Sequence, residues 1–413
     1  MSDRFPSGAL VFLLAGCVVP TGPQALYPCD DGQGLCNAAG QRLQPTDAGA
    51  ADAGDGGGGP PADAGPGDAG CGAVLGADNI DPRAYLGAAY FEERAQAGET
   101  AQRLFAIGGV PGSSHPTGEA QFEDLVNGNT WYSAGTLHTP RSGFATVVLS
   151  PLEGVVVFGG LGPDGGLADM EHFASNANPA PSTVWAQATP VLPQPTWDHA
   201  AALEADAGPI LSCGGRTGAL PGHDVATCYQ LTWANYWTDA GSSAPYELFG
   251  WEGGWVQAPA DLSRPRTQFS MVLGPDGLVY AIGGEGPIPA TDVGWEVFDG
   301  RAWTCPLACP TLAVGRIGAA AAVSGTRIYV TGGQETLGDI AGTPSVEFID
   351  LDAGSAASWQ FGAPLNYGRY NHAAVTLPNG HIRVLGGESD GCTLGIVEDY
   401  DPANNSWSVV SGA

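Results

Sequence analysis

The stretch Leu104-Phe105-Ala106-Ile107-Gly108-Gly109 runs apolar side chains into two glycines, and the chain repeats that event five more times. It returns as Val156-Val157-Phe158-Gly159-Gly160, Ile210-Leu211-Ser212-Cys213-Gly214-Gly215 and Tyr280-Ala281-Ile282-Gly283-Gly284. Tyr329-Val330-Thr331-Gly332-Gly333 and Val384-Leu385-Gly386-Gly387 complete the set. The first glycines lie 51, 55, 69, 49 and 54 residues apart. A period near fifty residues predicts a radial array of small sheets, one per repeat.

The segments around each double glycine recur in a constant order. A strand of small residues comes first, usually behind an arginine, as in Arg141-Ser142-Gly143-Phe144-Ala145 and Arg369-Tyr370-Asn371-His372-Ala373. Arg83, Arg266 and Arg316 open the same segment, and Trp197-Asp198-His199-Ala200 fills it without an arginine. Turns such as Pro275-Asp276-Gly277 and Pro378-Asn379-Gly380 follow, with the chemistry of a tight hairpin. After the double-glycine strand comes a strand with glutamate among apolar residues, at Glu171, Glu296, Glu347 and Glu398. A tryptophan then leads into a fourth strand, at Trp131, Trp185, Trp255, Trp303, Trp359 and Trp407.

As a set, these elements resemble the kelch motif over roughly residues 80 to 413. That resemblance implies an all-β chain: a six-bladed kelch-like β-propeller of four-stranded antiparallel blades around a central channel. The longest interval contains Trp233, Tyr236, Trp237 and Trp251 but no further double glycine, so it is read as an inserted loop. Its aromatic residues are either a binding rim or a cover for their own blade.

Composition narrows the function classes. The 413 residues include 64 glycines and 33 prolines, favouring short strands and tight turns over helices. The net charge of −29 sets 43 acids against 14 arginines, with no lysine. Such a surface repels nucleic acid and anionic membrane, which excludes a nucleic-acid partner.

The first 77 residues read differently. Residues 1–16 combine Arg4, the apolar run Ala9 to Leu14 and small residues before Cys17, the pattern of an export signal. Leu14-Ala15-Gly16-Cys17 resembles the lipobox of bacterial lipoproteins, which implies acylation of Cys17 and attachment to the cell envelope, at the outer membrane. A chance Ala-Gly-Cys in a cytosolic protein is the competing reading. Residues 17–77 contain a small loop between Cys29 and Cys36 and then an Asp/Ala/Gly/Pro tract. That tract lacks aromatic and β-branched side chains to offset its ordering entropy, so it is expected to be a disordered acidic linker. Residues 78–413 form the propeller.

Setting Cys17 aside leaves eight cysteines in an oxidising compartment. Proximity suggests Cys29–Cys36, Cys213–Cys228 and Cys305–Cys309, with Cys71 and Cys392 left to join the linker to the last blade. Zinc at Cys305 and Cys309 is a poor alternative, because the spacing is unsuitable and no histidine is near. No metal or cofactor motif is found.

Two readings of the arginines stay open. In a kelch-like propeller, Arg83, Arg141, Arg266, Arg316 and Arg369 would lie near one channel mouth and bind a carboxylate or acidic peptide. Alternatively, each pairs with a recurring glutamate to satisfy buried charge. His199 and His372 occupy a repeat position and are read as structural. The expected function is non-catalytic recognition of an envelope protein or glycan by a monomer. The alternative is a periplasmic sugar mutarotase resembling the sialic acid epimerases, which are exported kelch propellers. No adjacent Tyr-His pair supports an oxidase of the galactose oxidase type.

Overall fold

A computed structural model of the chain describes residues 80–410, apart from 95–99, 113–114, 127–130, 151–153, 174–184, 206–207, 239–245, 287–293, 306–309 and 337, together with Tyr27–Pro28 and Leu35–Cys36. The chain divides into two compact units, Met1–Thr46 and Asp47–Ala413. In the first, Tyr27–Pro28 and Leu35–Cys36 pair as antiparallel strands. Cys17, Cys29, Cys71 and Cys309 and the acidic linker fall outside the described residues.

The second unit contains six four-stranded antiparallel sheets among the described residues, and every one follows chain order. Their first strands are Gly87–Arg94, Ala145–Ser150, Ala200–Leu203, Ser270–Leu273, Ala320–Ser324 and Ala373–Thr376. The first strands of successive sheets pack side by side, and that of the sixth packs against that of the first. This closed ring of meandering sheets is a β-propeller.

Side-chain size explains the radial order. The first strands are rich in alanine because they crowd towards the axis. The second strands lie between neighbouring sheets and are buried on both faces, as in Gly154–Phe158 and Val279–Ile282. Fourth strands such as Val256–Gln257 and Gln360–Phe361 face solvent. The recurring indoles seal the wedges between sheets. Trp185 donates its Nε1–H to Ala134 O of the preceding blade at 3.3 Å, and Trp407 donates to Ala363 O at 2.9 Å. Trp255 packs on Phe158 of the preceding blade, with ring centroids 5.0 Å apart.

The double glycines join one blade to the next. All twelve residues of the six pairs have positive φ, from 53° to 100°. The N–H of each second glycine donates to the main-chain carbonyl that opens the following blade: Gly109 to Arg141, Gly160 to Thr196, Gly215 to Arg266, Gly284 to Arg316 and Gly333 to Arg369. Gly387 donates to Arg83 at 2.9 Å and so closes the circle from last blade to first. Closure is therefore made by hydrogen bonds between complete blades, reinforced by an Arg383–Glu123 ion pair of 2.5 Å.

The loop expected between Cys228 and Trp255 is largely a hairpin, in which Trp233–Thr238 pairs with Tyr246–Trp251. Tyr236 and Trp237 lie on its first strand. Trp233 does not belong to an exposed rim: it is buried, and its Nε1–H donates to Gly208 O at 2.8 Å. Trp251 is half-buried against the same apolar cluster.

Candidate functional site

The five arginines do not form a ligand-facing ring. Arg83 is 1% exposed and the other four are 0% exposed. Arg369 donates from Nη2 to Glu398 Oε1 at 2.6 Å and from Nη1 to Gly386 O at 2.8 Å. Arg141 does the same to Glu171 and Gly159, Arg266 to Glu296 and Gly283, and Arg316 to Glu347 and Gly332. Arg83 uses Gln121 and Gly108 instead. Each glutamate also accepts main-chain N–H groups from the segment arriving from the preceding blade, such as His138 and Thr139 on Glu171 or Asn366 and Tyr367 on Glu398. The arginine and glutamate thus form an internal clamp, required because a buried charge needs a partner. Burial draws Arg316 and Arg369 below the ordinary guanidinium value, opposed by Glu347 and Glu398.

Blade three lacks this clamp. Thr196 and Tyr229 stand at the arginine and glutamate positions, and here Cys213 and Cys228, directly paired across the two strands, form a disulfide. Cys305 and Cys392 are also disulfide-bonded, so neither is a zinc-binding thiol.

The histidines at the repeat position are structural. His199 is 6% exposed, neither ring nitrogen has a hydrogen-bond partner among the described residues, and burial holds its pKa at about 3. His372 is likewise pushed well down by burial, and its Nε2 lies 2.8 Å from Thr331 Oγ1. Phe144 and Phe269 occupy the same slot in blades two and four, so His199→Phe is expected to stabilise the protein. The folded state keeps His199 neutral, whereas the unfolded state takes up a proton below about pH 6.5. That difference removes about 1.4 kcal/mol of stability per pH unit as pH falls towards 3. The stability gap between His199→Phe and wild type, from urea denaturation, should widen by about 2 kcal/mol between pH 6.5 and pH 5. A constant gap would refute the buried-neutral assignment.

The groups that converge are elsewhere, on the axis. Two residues after each arginine position stand Tyr85, Gly143, Asp198, Gln268, Gly318 and Asn371, all in the left-handed region with φ of 50° to 64°. Their peptides form a second closed circle. Tyr85 N donates to Asn371 O at 2.8 Å, Asn371 to Gly318, Gly318 to Gln268, Gln268 to Asp198, Asp198 to Gly143, and Gly143 to Tyr85. Four of these residues are not glycine, so backbone strain is concentrated here, as it often is at functional sites. The two glycines also leave room for side chains of the next ring residue. A Cβ on Gly143 would meet Asp198 Oδ1, and one on Gly318 would meet Asn371 Oδ1.

The residue after each double glycine pairs with the strand beside this ring, and three of them are charged: Arg216, Glu285 and Glu388. Arg216 holds Asp198 at 3.4 Å, Asp224 at 3.2 Å and Glu285 at 2.9 Å, joining blades three and four. Burial alone would lower its pKa, and the three carboxylates outweigh that. Burial raises Asp198 and Glu285 above the usual carboxylate range, with Arg216 opposing in both. Burial raises the Glu388 carboxyl, opposed by the nearby Tyr370 hydroxyl. Burial, with Glu388, Asp198 and Tyr370 nearby, raises the Tyr85 phenol well above its ordinary value, and Arg216 opposes them. Asn371 is 7% exposed, and its carboxamide has no hydrogen-bond partner among the described residues.

Sequence reasoning missed this site. The missing signal was periodic but quiet: the single position after each double glycine, which reads Val110, Leu161, Arg216, Glu285, Gln334 and Glu388. The fold and this cluster together define a β-propeller with a ring of partly polar residues where its six blades meet. No family model matches the chain. No curated protein matches it. Among solved structures 234 chains match, including one titled "Structure of YjhT" at a TM-score of 0.56 and 13% identity, covering 81% of this chain and 99% of that one. At that identity the likeness speaks for the propeller fold alone.

Proposed function

We propose that this chain is a kelch-type propeller of the bacterial cell envelope, tethered through an acylated Cys17, that recognises a small polar ligand such as one unit of a glycan. The binding site is the axial ring, in place of the buried arginines. One observation carries this reading: Asn371, 7% exposed, stands in a closed ring with Tyr85, Asp198 and Gln268, four side-chain-bearing residues held in left-handed backbone. Convergent polar groups on a strained backbone are what fix a ligand's orientation.

Asn371→Gly tests it. Glycine is what blades two and five carry on the ring, and it accepts the left-handed backbone. The variant should fold with unchanged thermal stability to within a few degrees. On a glycan array, at least one glycan bound by the soluble propeller should lose roughly tenfold or more of its affinity, the value of a hydrogen bond in a dry site. Equal binding by both proteins across every bound glycan would sink the axial assignment.

The second reading is a sugar mutarotase. It is favoured by proton-transfer groups of raised pKa, Asp198 and Glu388, within one polar mouth. It ranks lower for sialic acids because a carboxylate sugar would meet four acids and a single guanidinium already held by three of them. Anomer exchange of N-acetylneuraminate followed by proton NMR separates the readings: acceleration by the protein means catalysis.

A further inference from the structure

We propose that the Cys213–Cys228 disulfide fastens blade three in place of the charge clamp, so that the ring is complete only when the chain has folded under oxidising conditions. The bond then records the compartment in which folding took place.

The clamp does more than neutralise charge. In five blades a side chain on the third strand also accepts main-chain N–H groups from the segment arriving at that blade. Gln121 takes Asp81 N at 3.1 Å, and Glu296 takes Ser263 N at 2.8 Å. Glu171 takes His138 and Thr139, Glu347 takes Ala313 and Val314, and Glu398 takes Asn366 and Tyr367. In blade three Tyr229 holds that register, and no described N–H of the arriving segment donates to it. Two of those donors turn back to blade two instead: Leu192 N to Ala168 O at 2.8 Å and Thr196 N to Leu167 O at 3.0 Å. Thr196, in the arginine's place, spends its hydroxyl on Gln194 O of its own segment. The opposite side of blade three is well tied, by Cys228 N on Asp261 Oδ1 at 2.9 Å and by Arg216 on Glu285. The weak seam therefore lies between blades two and three.

The disulfide stands one residue along the strands from the missing clamp: Cys213 faces Cys228 as Ser212 faces Tyr229. The other blades place Ile107–Ala120, Phe158–Met170, Ile282–Trp295, Thr331–Val346 and Leu385–Val397 at this register, each next to its own clamp. A covalent bond occurs here only in the blade without one. It forms when one thiolate attacks the mixed disulfide that the other cysteine makes with a thiol–disulfide oxidant. The new Sγ–Sγ bond expels the oxidant's thiolate; two thiols lose two protons and two electrons, and the oxidant leaves as its dithiol. Exchange needs access, and in the folded protein Cys213 is 1% and Cys228 0% exposed. The bond must accordingly be made before blade three closes, and afterwards it is shielded from reductant.

The test compares the purified chain with Cys213→Ala combined with Cys228→Val, which keeps both sites apolar and every other cysteine in place. In hydrogen–deuterium exchange read by mass spectrometry, Ile210–Cys213 and Cys228–Leu231 should exchange at least about tenfold faster in the variant. Arg327–Thr331 and Val346–Asp350 of blade five should keep the wild-type rate. The melting temperature should fall by roughly 5–10 °C. Refolding the wild type after full reduction gives the same reading without a substitution. Protection of blade three should return with oxidised glutathione and stay lost with dithiothreitol, while blade five regains its protection in both. Native protein held in millimolar reduced glutathione should keep Cys213–Cys228 in a non-reducing peptide map until urea opens the blade. Unchanged protection of blade three in the variant overturns the proposal, and so does an equal loss across all six blades. Loss of the bond from native protein as fast as from unfolded protein overturns the compartment record.

Discussion

Glu398→Ala is expected to destabilise the propeller by roughly 3–5 kcal/mol, the toll of leaving a buried charge without its partner. Glu398 is 0% exposed and accepts Arg369 Nη2 at 2.6 Å, Asn366 N at 2.7 Å and Tyr367 N at 3.3 Å. Its loss strands a guanidinium that is also 0% exposed and frees two main-chain donors from the connection between blades five and six. Against a typical total stability of about 5–15 kcal/mol, that is a large fraction. The measurement is urea denaturation followed by tryptophan fluorescence. Replacing both partners, Arg369→Met with Glu398→Leu, should recover most of the loss, because two apolar residues leave no unmatched charge. A single-variant loss below about 1 kcal/mol would show that the clamp is dispensable, in the range of a surface pair.

Gly332→Ala is expected to be as damaging for a different reason, and Gly325→Ala supplies the control. The two glycines have almost the same backbone, φ 59° and 58°. A Cβ on Gly325 meets nothing within 4 Å, whereas one on Gly332 would press against Arg369 O of the next blade and Cε1 of His372. Gly325→Ala should therefore lose only about 1–2 kcal/mol, the left-handed penalty alone. Gly332→Ala should lose roughly 2–4 kcal/mol more, because the following blade must move away and the bond from Gly333 N to Arg369 O stretches. Thermal unfolding of the pair reads the difference directly. Equal losses would mean that the double glycines serve backbone conformation only, and not the approach of neighbouring blades.

Several features of the molecule could be read residue by residue because they repeat. Each cycle places a turn, a doubly buried apolar strand and a tryptophan at the same spacing, and those local patterns state where strands begin and end. The clamp was legible as one of two alternatives, since a recurring arginine and a recurring glutamate on an apolar background demand either a ligand or each other. Cys213 and Cys228 were legible because they flank one short connection. The inserted segment was only half legible. Its aromatic residues advertise strand propensity and surface contact equally, and burial of Trp233 against Gly208 depends on a neighbouring segment that its own sequence does not describe.

The axial site was not legible, and the cause is geometric. Tyr85, Asp198, Gln268 and Asn371 are separated by up to 286 residues and share no motif; what unites them is a position two residues after the clamp arginine or its replacement. Periodicity in the chain determined the strands, the glycine pairs and the alternation of small and large side chains, since each depends on neighbours within one repeat. Which residues share the centre was decided only when the ring closed, because six left-handed peptides from different blades hydrogen-bond there in a circle.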